Sequence, residues 1–299
     1  MISTAELSGT VIAIFGPTAS GKTAVAEALA DAIPAAVVSA DSMQVYDGLP
    51  ILTNQPERPT ALVAIWPLDY EGSVAEYQRL AHEAIDGALA RGCTPVVVGG
   101  TGLYLRAALA ELDLPPAPPP GARERWERVY DRLGPEQAYA ALAERDPQAA
   151  EAIHANDRRR VVRALELHEA GGSLAPPRDR LWSEETRHPT LIVGLDVPKP
   201  ALDERIRTRT EAMFAAGVEE EVERARRSPI SKTASNIIGL REIAELPRAE
   251  AIDAIALATR QYAAYQRKWM RRIPHIHAVS AQSTPSETCA EILAAARSN

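Results

Sequence analysis

Short apolar runs, each closing on a small or polar residue, recur along the chain at 11–15, 35–38, 95–98 and 191–195. Runs of this kind without polar alternation fit strands buried on both faces, and the stretches between them are long enough for crossover helices. One such stretch, 73–91, has Ser73 placed to cap a helix and Glu76 at the capping-box spacing. The pattern predicts an α/β fold in which helices wrap a parallel sheet. It changes after the third run. A proline-rich segment at 115–121 opens a block dense in Ala, Arg and Glu, and the Gly- and Pro-containing 171–177 closes it. Residues 122–170 therefore read as a helical insert between two connectors, giving a core of 1–114 and 189–299 around an insertion domain of 115–188. After the fourth run, 202–227 keeps helical spacing with a break near Gly217, a second helix spans 248–272, and a last one follows Pro285.

The first strand runs into Gly16-Pro17-Thr18-Ala19-Ser20-Gly21-Lys22-Thr23, the spacing G-x-x-x-x-G-K-[ST] between a strand and a helix. Glycines let backbone N–H groups curl around phosphate oxygens, Lys22 supplies a point charge, and the Thr23 hydroxyl can hold a magnesium ion. The helix that follows aims its positive end at the same anion. These features predict a di- or triphosphate site of the P-loop NTPase-like kind, without saying which phosphate or which reaction.

Two further loops follow predicted strands. Asp41 lies in Ser39-Ala40-Asp41-Ser42-Met43-Gln44, at the carboxyl end of a strand, where open parallel sheets bind ligands. It reads as a carboxylate beside the phosphate site or as the cap of the next segment. Asp196, after the fourth run, is the other acid placed for magnesium. In Gly99-Gly100-Thr101-Gly102 the glycines permit close backbone approach to a ligand, and Thr101 offers a hydroxyl there.

Composition sets the class of partner. No apolar run approaches the length of a membrane span and the N-terminus lacks the signal-peptide pattern, so cytoplasmic residence with no membrane partner is expected. Cys93 and Cys289 lie far apart without CxxC spacing, against a zinc site or disulfide framework. The formal net charge of −7 argues against nucleic acid until its distribution is seen. Residues 254–286 contain no Asp or Glu, yet hold Arg260, Arg267, Lys268, Arg271 and Arg272; Arg158, Arg159, Arg160 and Arg163 form a second basic cluster. Each cluster is either a solvated helix face or a local footprint for a polyanion.

Taken together, these motifs resemble the tRNA dimethylallyltransferases, over nearly the whole chain. Besides the three loops, the landmarks are Ile153-His154-Ala155-Asn156-Asp157, Arg160 with Arg163-Ala164-Leu165-Glu166, and Thr259-Arg260-Gln261 with Trp269. The resemblance implies that Gly16 to Thr23 cradles the diphosphate of dimethylallyl diphosphate, with Lys22 and Mg2+ at Thr23 stabilising the leaving pyrophosphate. It implies that Asp41 accepts the proton of the adenine amine and that Thr101 lines the channel where base and donor meet. Arg205 and Arg209 fall where the family has arginines near the diphosphate. Contacts to the tRNA anticodon stem-loop are implied for Asp41, Ser42, Met43, Gln44, Thr101, Arg123, Arg159, Arg160, Val161, Val162, Arg163, Asn236, Arg241, Arg267, Lys268, Trp269 and Arg271. A monomer is expected.

The chain departs from the family pattern in two places. After Tyr46 the family continues with a basic residue and then Gly-Met-Asp-Ile-Gly-Thr-Ala-Lys-Pro, against Asp47-Gly48-Leu49-Pro50-Ile51-Leu52-Thr53-Asn54-Gln55-Pro56 here. Ala264-Tyr265 replaces a Lys-Arg pair and Lys268 a threonine. Both bear on tRNA contacts and spare the phosphate loop, Asp41 and Thr101. The competing readings are a small-molecule kinase using ATP, a prenyltransferase acting on free adenine nucleotides, and a nucleotide-switched RNA-binding module without catalysis. The acid-free basic region and the helical insert favour a macromolecular acceptor over the first two.

Overall fold

The computed structural model describes residues 7, 9–114, 119, 121–175, 180–281 and 283–298. Most of the proline-rich segment 115–121, and positions 176 and 177 of the closing segment 171–177, lie outside them. The described residues form two compact units, 1–111 with 181–299, and 112–180.

The first unit is built on five parallel strands, β1 (Val11–Phe15), β2 (Ala35–Ser39), β3 (Thr94–Gly99), β4 (Thr190–Asp196) and β5 (His277–Ser280), in the order β2-β3-β1-β4-β5. Central β1 is buried at every position, as an unbroken apolar run requires when helices cover both faces. Its register, Ile14 opposite Val98 and Val193, brings the carboxyl ends of β1, β2 and β3 together. The helices are α1 (Lys22–Ala32), α2 (Val74–Ala90), α3 (Gly102–Leu109), α8 (Lys199–Ala215), α9 (Val218–Ala225), α10 (Leu240–Glu245), α11 (Arg248–Met270) and α12 (Pro285–Ser298). Val25 and Leu29 of α1 pack with Ile292 and Leu293 of α12 against Ile12, Ile14 and Val193. Ser73 Oγ caps α2 by accepting the Glu76 N–H at 3.2 Å. Gly217, at φ 90°, breaks α8 from α9 as the sequence predicts.

In the second unit α4 (Ala122–Leu133), α5 (Pro135–Arg145), α6 (Pro147–Glu151) and α7 (Arg158–Glu169) enclose a core of Tyr130, Ala138, Leu142, Val161, Val162 and Leu165. Residues 181–188, assigned to the insertion from sequence, pack with the first unit instead. The buried Arg106 guanidinium donates to the carbonyls of Leu181 (2.9 Å), Ser183 (3.0 Å) and Glu185 (3.3 Å), pinning the returning chain before β4. The edge strand β5 has no counterpart among the predicted strands, because only Val279 of its four residues is buried and it leaves no apolar run.

Candidate active site

The loop between β1 and α1 folds back on itself. Ala19 at φ 62° and Gly21 at φ 91° both take the left-handed conformation, which turns successive N–H groups toward one concavity. For alanine this conformation is strained, and strain of this kind concentrates at binding sites. Lys22 Nζ donates to the carbonyls of Gly16 (3.0 Å) and Pro17 (2.8 Å), so the ammonium lies over the loop. Burial pulls its pKa down to about 8 against the attraction of the Asp41 carboxylate, and the Arg209 charge pulls the same way as burial.

Residues 18–23 form one end of a cavity of about 570 Å³, whose wall includes Asp41, Met43, Gln44, Arg205 and Arg209. Among the described residues, three buried side-chain polar atoms lack a hydrogen-bond partner, and two of them, Ser20 Oγ and Arg209 Nε, belong to residues of this wall. Unsatisfied buried donors are costly, so a cavity that concentrates them is built for an acceptor that supplies the missing bonds. Burial lowers the Arg209 pKa and the Asp41 charge opposes the shift. Arg205 Nη2 donates to the Ala281 carbonyl at 3.2 Å, not to an acid.

Asp41 does both things the sequence allows. Its Oδ1 accepts the Met43 N–H at 2.9 Å, capping a turn, and its side chain lines the cavity. Thr101 Oγ1 meets the Ser42 N–H (3.2 Å), Ser42 Oγ (3.2 Å) and Tyr262 OH (3.1 Å), and Tyr262 in turn lines the cavity. Burial pushes the Tyr262 hydroxyl up to about 12, so it stays protonated near neutrality. Gln266, one turn further along α11, accepts the Thr18 N–H through Oε1 (2.7 Å) and donates through Nε2 to the Gly100 carbonyl (2.9 Å). One buried amide thus ties the phosphate loop to the glycine loop.

The glycines of 99–102 serve a different neighbour from the ligand expected. A Cβ on Gly99 would lie 2.0 Å from the Ala40 carbonyl oxygen, on Gly100 2.2 Å from Gln266 Nε2, and on Gly102 2.1 Å from the Trp269 ring. They admit the protein's own backbone and side chains. Asp196 is also placed apart: half-exposed at the end of β4, it faces Arg267 Nη2 at 3.5 Å and does not line the cavity.

Along α11 the cavity wall changes from Gln266 and Tyr262 through Thr259 to Ile255, and along α8 from Arg205 and Arg209 to Met213. Gln266 and Ile255 are eleven residues apart, about 16 Å of helix axis. Ile238 and Leu52 also line the cavity. Leu52 stands where the family pattern has glycine. Its position is set by Glu221 of α9, fully buried, whose Oε1 and Oε2 accept the Leu52 (2.8 Å) and Ile51 (2.9 Å) N–H groups.

Of the residues implied to meet tRNA, Gln44 binds Ser39 Oγ (3.0 Å) and the Asn54 carbonyl (2.8 Å), fastening the 39–55 region. In the first unit Asn236, Arg241, Lys268 and Arg271 are exposed. Trp269 packs against Trp182 in a tilted arrangement with ring centres 4.6 Å apart, and the Arg272 guanidinium lies 3.7 Å from the Trp182 ring centre. In the second unit Arg159 and Arg160 are exposed, whereas Val161 and Val162 face the core and offer no side chain to a partner. Arg123 and Arg163 share the buried carboxylate of Glu166 at 2.8 and 3.1 Å. Arg158, counted with the basic cluster, is held by Asp131 through two 2.8 Å bonds. Tyr262, Gln266 and Glu221 are functional candidates not singled out from sequence; the only signal was the i, i+4, i+7 spacing of Tyr262, Gln266 and Trp269, which puts them on one helix face.

A family model described as IPP transferase matches residues 44–273, and one described as isopentenyl transferase matches 9–60. Two curated relatives are the tRNA dimethylallyltransferase of Thermobifida fusca, 41% identical with 90% of this chain and 89% of that protein covered, and that of Streptomyces coelicolor, 39% identical with 93% of each covered. Among solved structures, the full-length tRNA isopentenylpyrophosphate transferase of Bacillus halodurans superposes with a TM-score of 0.68 at 30% identity, over 97% of both chains. With the phosphate loop, the Asp41 loop and the glycine loop gathered at one end of the sheet, these likenesses agree: the chain belongs to the tRNA dimethylallyltransferase family.

Proposed function

We propose that the protein transfers the dimethylallyl group of dimethylallyl diphosphate to the exocyclic amine of the adenosine 3′-adjacent to the tRNA anticodon, releasing pyrophosphate. The observation that carries this reading is the polarity of the cavity. Its loop end offers Lys22, Arg209 and loop N–H groups to a diphosphate, while Leu52, Met213, Ile238 and Ile255 give another part of the wall, beside Thr53, Asn54 and Thr210, an apolar lining. An isoprenoid diphosphate has this polarity; the triphosphate and ribose of ATP do not.

In the reaction the allylic C–O bond breaks and its electron pair leaves on the pyrophosphate oxygen. The N–C bond forms at the same carbon, and the amine proton passes to Asp41. Lys22, the loop N–H groups of residues 19 and 21–23 and the arginines at 205 and 209 stabilise charge that grows on the leaving group. Tyr262, protonated, holds Thr101 toward Ser42, and Asp41, with Oδ1 engaged by the Met43 N–H, lines the cavity where the acceptor would enter. The Thr23 hydroxyl also lines the cavity. Among the described residues no group of three or more His, Cys, Asp or Glu is placed to hold a metal. A single hydroxyl beside a diphosphate fits Mg2+, which keeps waters and phosphate oxygens as most of its ligands. Bound there by Thr23, Mg2+ would neutralise pyrophosphate charge.

The exposed Arg159, Arg160, Arg241, Lys268 and Arg271 would contact tRNA phosphates. No described helix is long and apolar enough to cross a membrane, and the reading places the enzyme in the cytoplasm with its tRNA substrate. Calorimetry tests the ligand class. Dimethylallyl diphosphate and pyrophosphate should bind in the presence of Mg2+ and ATP should bind poorly without turnover; steady ATP hydrolysis would favour the kinase.

A further inference from the structure

Within the proposed reaction, on which this step rests, the donor's chain must run away from the diphosphate end of the cavity. Polarity falls in that direction along both α8 and α11, and Leu52, Met213, Ile238 and Ile255 line the cavity there. Three of these side chains sit on helices or on the segment leading into α10. Leu52 is the exception: it sits on the non-helical 47–56 segment, and besides that segment's own turn bonds, contacts from outside it hold the residue.

Two contacts do so. The Leu52 N–H is bound by Glu221 Oε1 at 2.8 Å and the preceding Ile51 N–H by Glu221 Oε2 at 2.9 Å, from a carboxylate that is 1% exposed. On the other side the Leu52 side chain lies against the bare Cα of Gly239, where an added Cβ would be 2.6 Å from Leu52 Cδ1 and 3.4 Å from Ile255 Cδ1. Leu52 and Ile255 therefore meet over Gly239, at the far end of the α11 gradient from Gln266. A buried carboxylate with both oxygens engaged by adjacent N–H groups fixes the backbone direction, and through it the side chain.

We infer that Leu52 is the end wall of the isoprenoid pocket and sets the length of allylic diphosphate the enzyme accepts, with Glu221 as its positioning residue. A five-carbon chain fits inside the wall, and a ten-carbon chain meets the Leu52 side chain. Removing that side chain admits the longer donor. Removing the clamp lets the wall drift, loosening the fit for the short donor without touching the groups that take charge or proton.

The test measures kcat/KM for dimethylallyl and geranyl diphosphates with an anticodon stem-loop acceptor, reading prenylated nucleoside by mass spectrometry. Wild type should strongly prefer the five-carbon donor. Leu52→Ala should raise the geranyl-to-dimethylallyl ratio by roughly 10- to 200-fold, the range for steric discrimination in an apolar pocket. Leu52→Val, which keeps a branched wall and folds more safely, should shift the ratio in the same direction by less. Glu221→Gln retains one acceptor and should raise KM for the five-carbon donor with kcat little changed; a purely structural role for Glu221 would lower the melting temperature and leave that KM alone. A wild type that uses both donors equally, or Leu52 variants that transfer dimethylallyl normally with an unchanged ratio, would overturn the inference. Absence of prenylated nucleoside from wild type with either donor would instead overturn the proposed function.

Discussion

Replacing Asp41 by asparagine separates the turn capping seen in its geometry from the proton-accepting role proposed for it. Asparagine keeps an Oδ1 acceptor for the Met43 N–H, so the turn and the melting temperature should survive, but it cannot take the amine proton. Asp41→Asn should therefore bind donor and tRNA normally and lose roughly 10²- to 10⁴-fold in single-turnover rate. Full activity in this variant would leave Asp41 as a turn cap. Lys22 gives a pH prediction. With the ammonium pKa pulled to about 8 in the folded, ligand-free chain, it loses its charge above that pH. Donor affinity should be flat below pH 8 and fall by up to about tenfold per unit above it, as binding then requires proton uptake. Stability of the ligand-free protein should run the other way, rising as pH passes from 8 toward the ordinary lysine value, because there the unfolded chain binds the extra proton. Lys22→Met should abolish both trends. The sequence shows Lys22 and Asp41 as candidates because motif and strand end mark them; it cannot show that burial tunes the one or that Met43 aligns the other.

Helix α11 joins what the chain keeps far apart. Gln266 is 248 positions from Thr18 and 166 from Gly100, yet bonds to both. Gln266→Met, close in shape and without either bond, should leave tRNA affinity intact and lower the transfer rate about tenfold or more, since small misplacements of reacting groups are costly. Equal single-turnover rates for variant and wild type would show the strap to be dispensable. At this scale the sequence was readable where an element is covered on both faces: β1 to β4 carry unbroken apolar runs. The edge strand β5, with one buried residue, carried no such signal. The glycine loop was legible as a place of close approach, but what approaches is Ala40, Gln266 and Trp269, and no local pattern names partners across such distances.

Across the whole molecule, the basic residues differ in whether an acid already holds them. Despite a net charge of −7, Arg159, Arg160, Arg241, Lys268 and Arg271 are exposed, whereas Arg158 and Arg123 are committed to Asp131 and Glu166. tRNA affinity should fall steeply with salt, and replacing any one of the exposed five should reduce the log–log slope by roughly 0.7 to 0.9. Arg158→Ala should leave that slope unchanged. The basic clusters were visible in the sequence; which members are already paired was not, since Asp131 and Arg158 lie on different helices. Whether the phosphate loop holds a leaving group is decided with doubly labelled dimethylallyl diphosphate, carbon-labelled in the allyl unit and phosphorus-labelled in the diphosphate, incubated with tRNA and Mg2+. Carbon label should appear on the adenosine beside the anticodon, with phosphorus label released in equal amount as pyrophosphate. Phosphorus label on an acceptor, or pyrophosphate released without carbon transfer, would contradict that role for the loop.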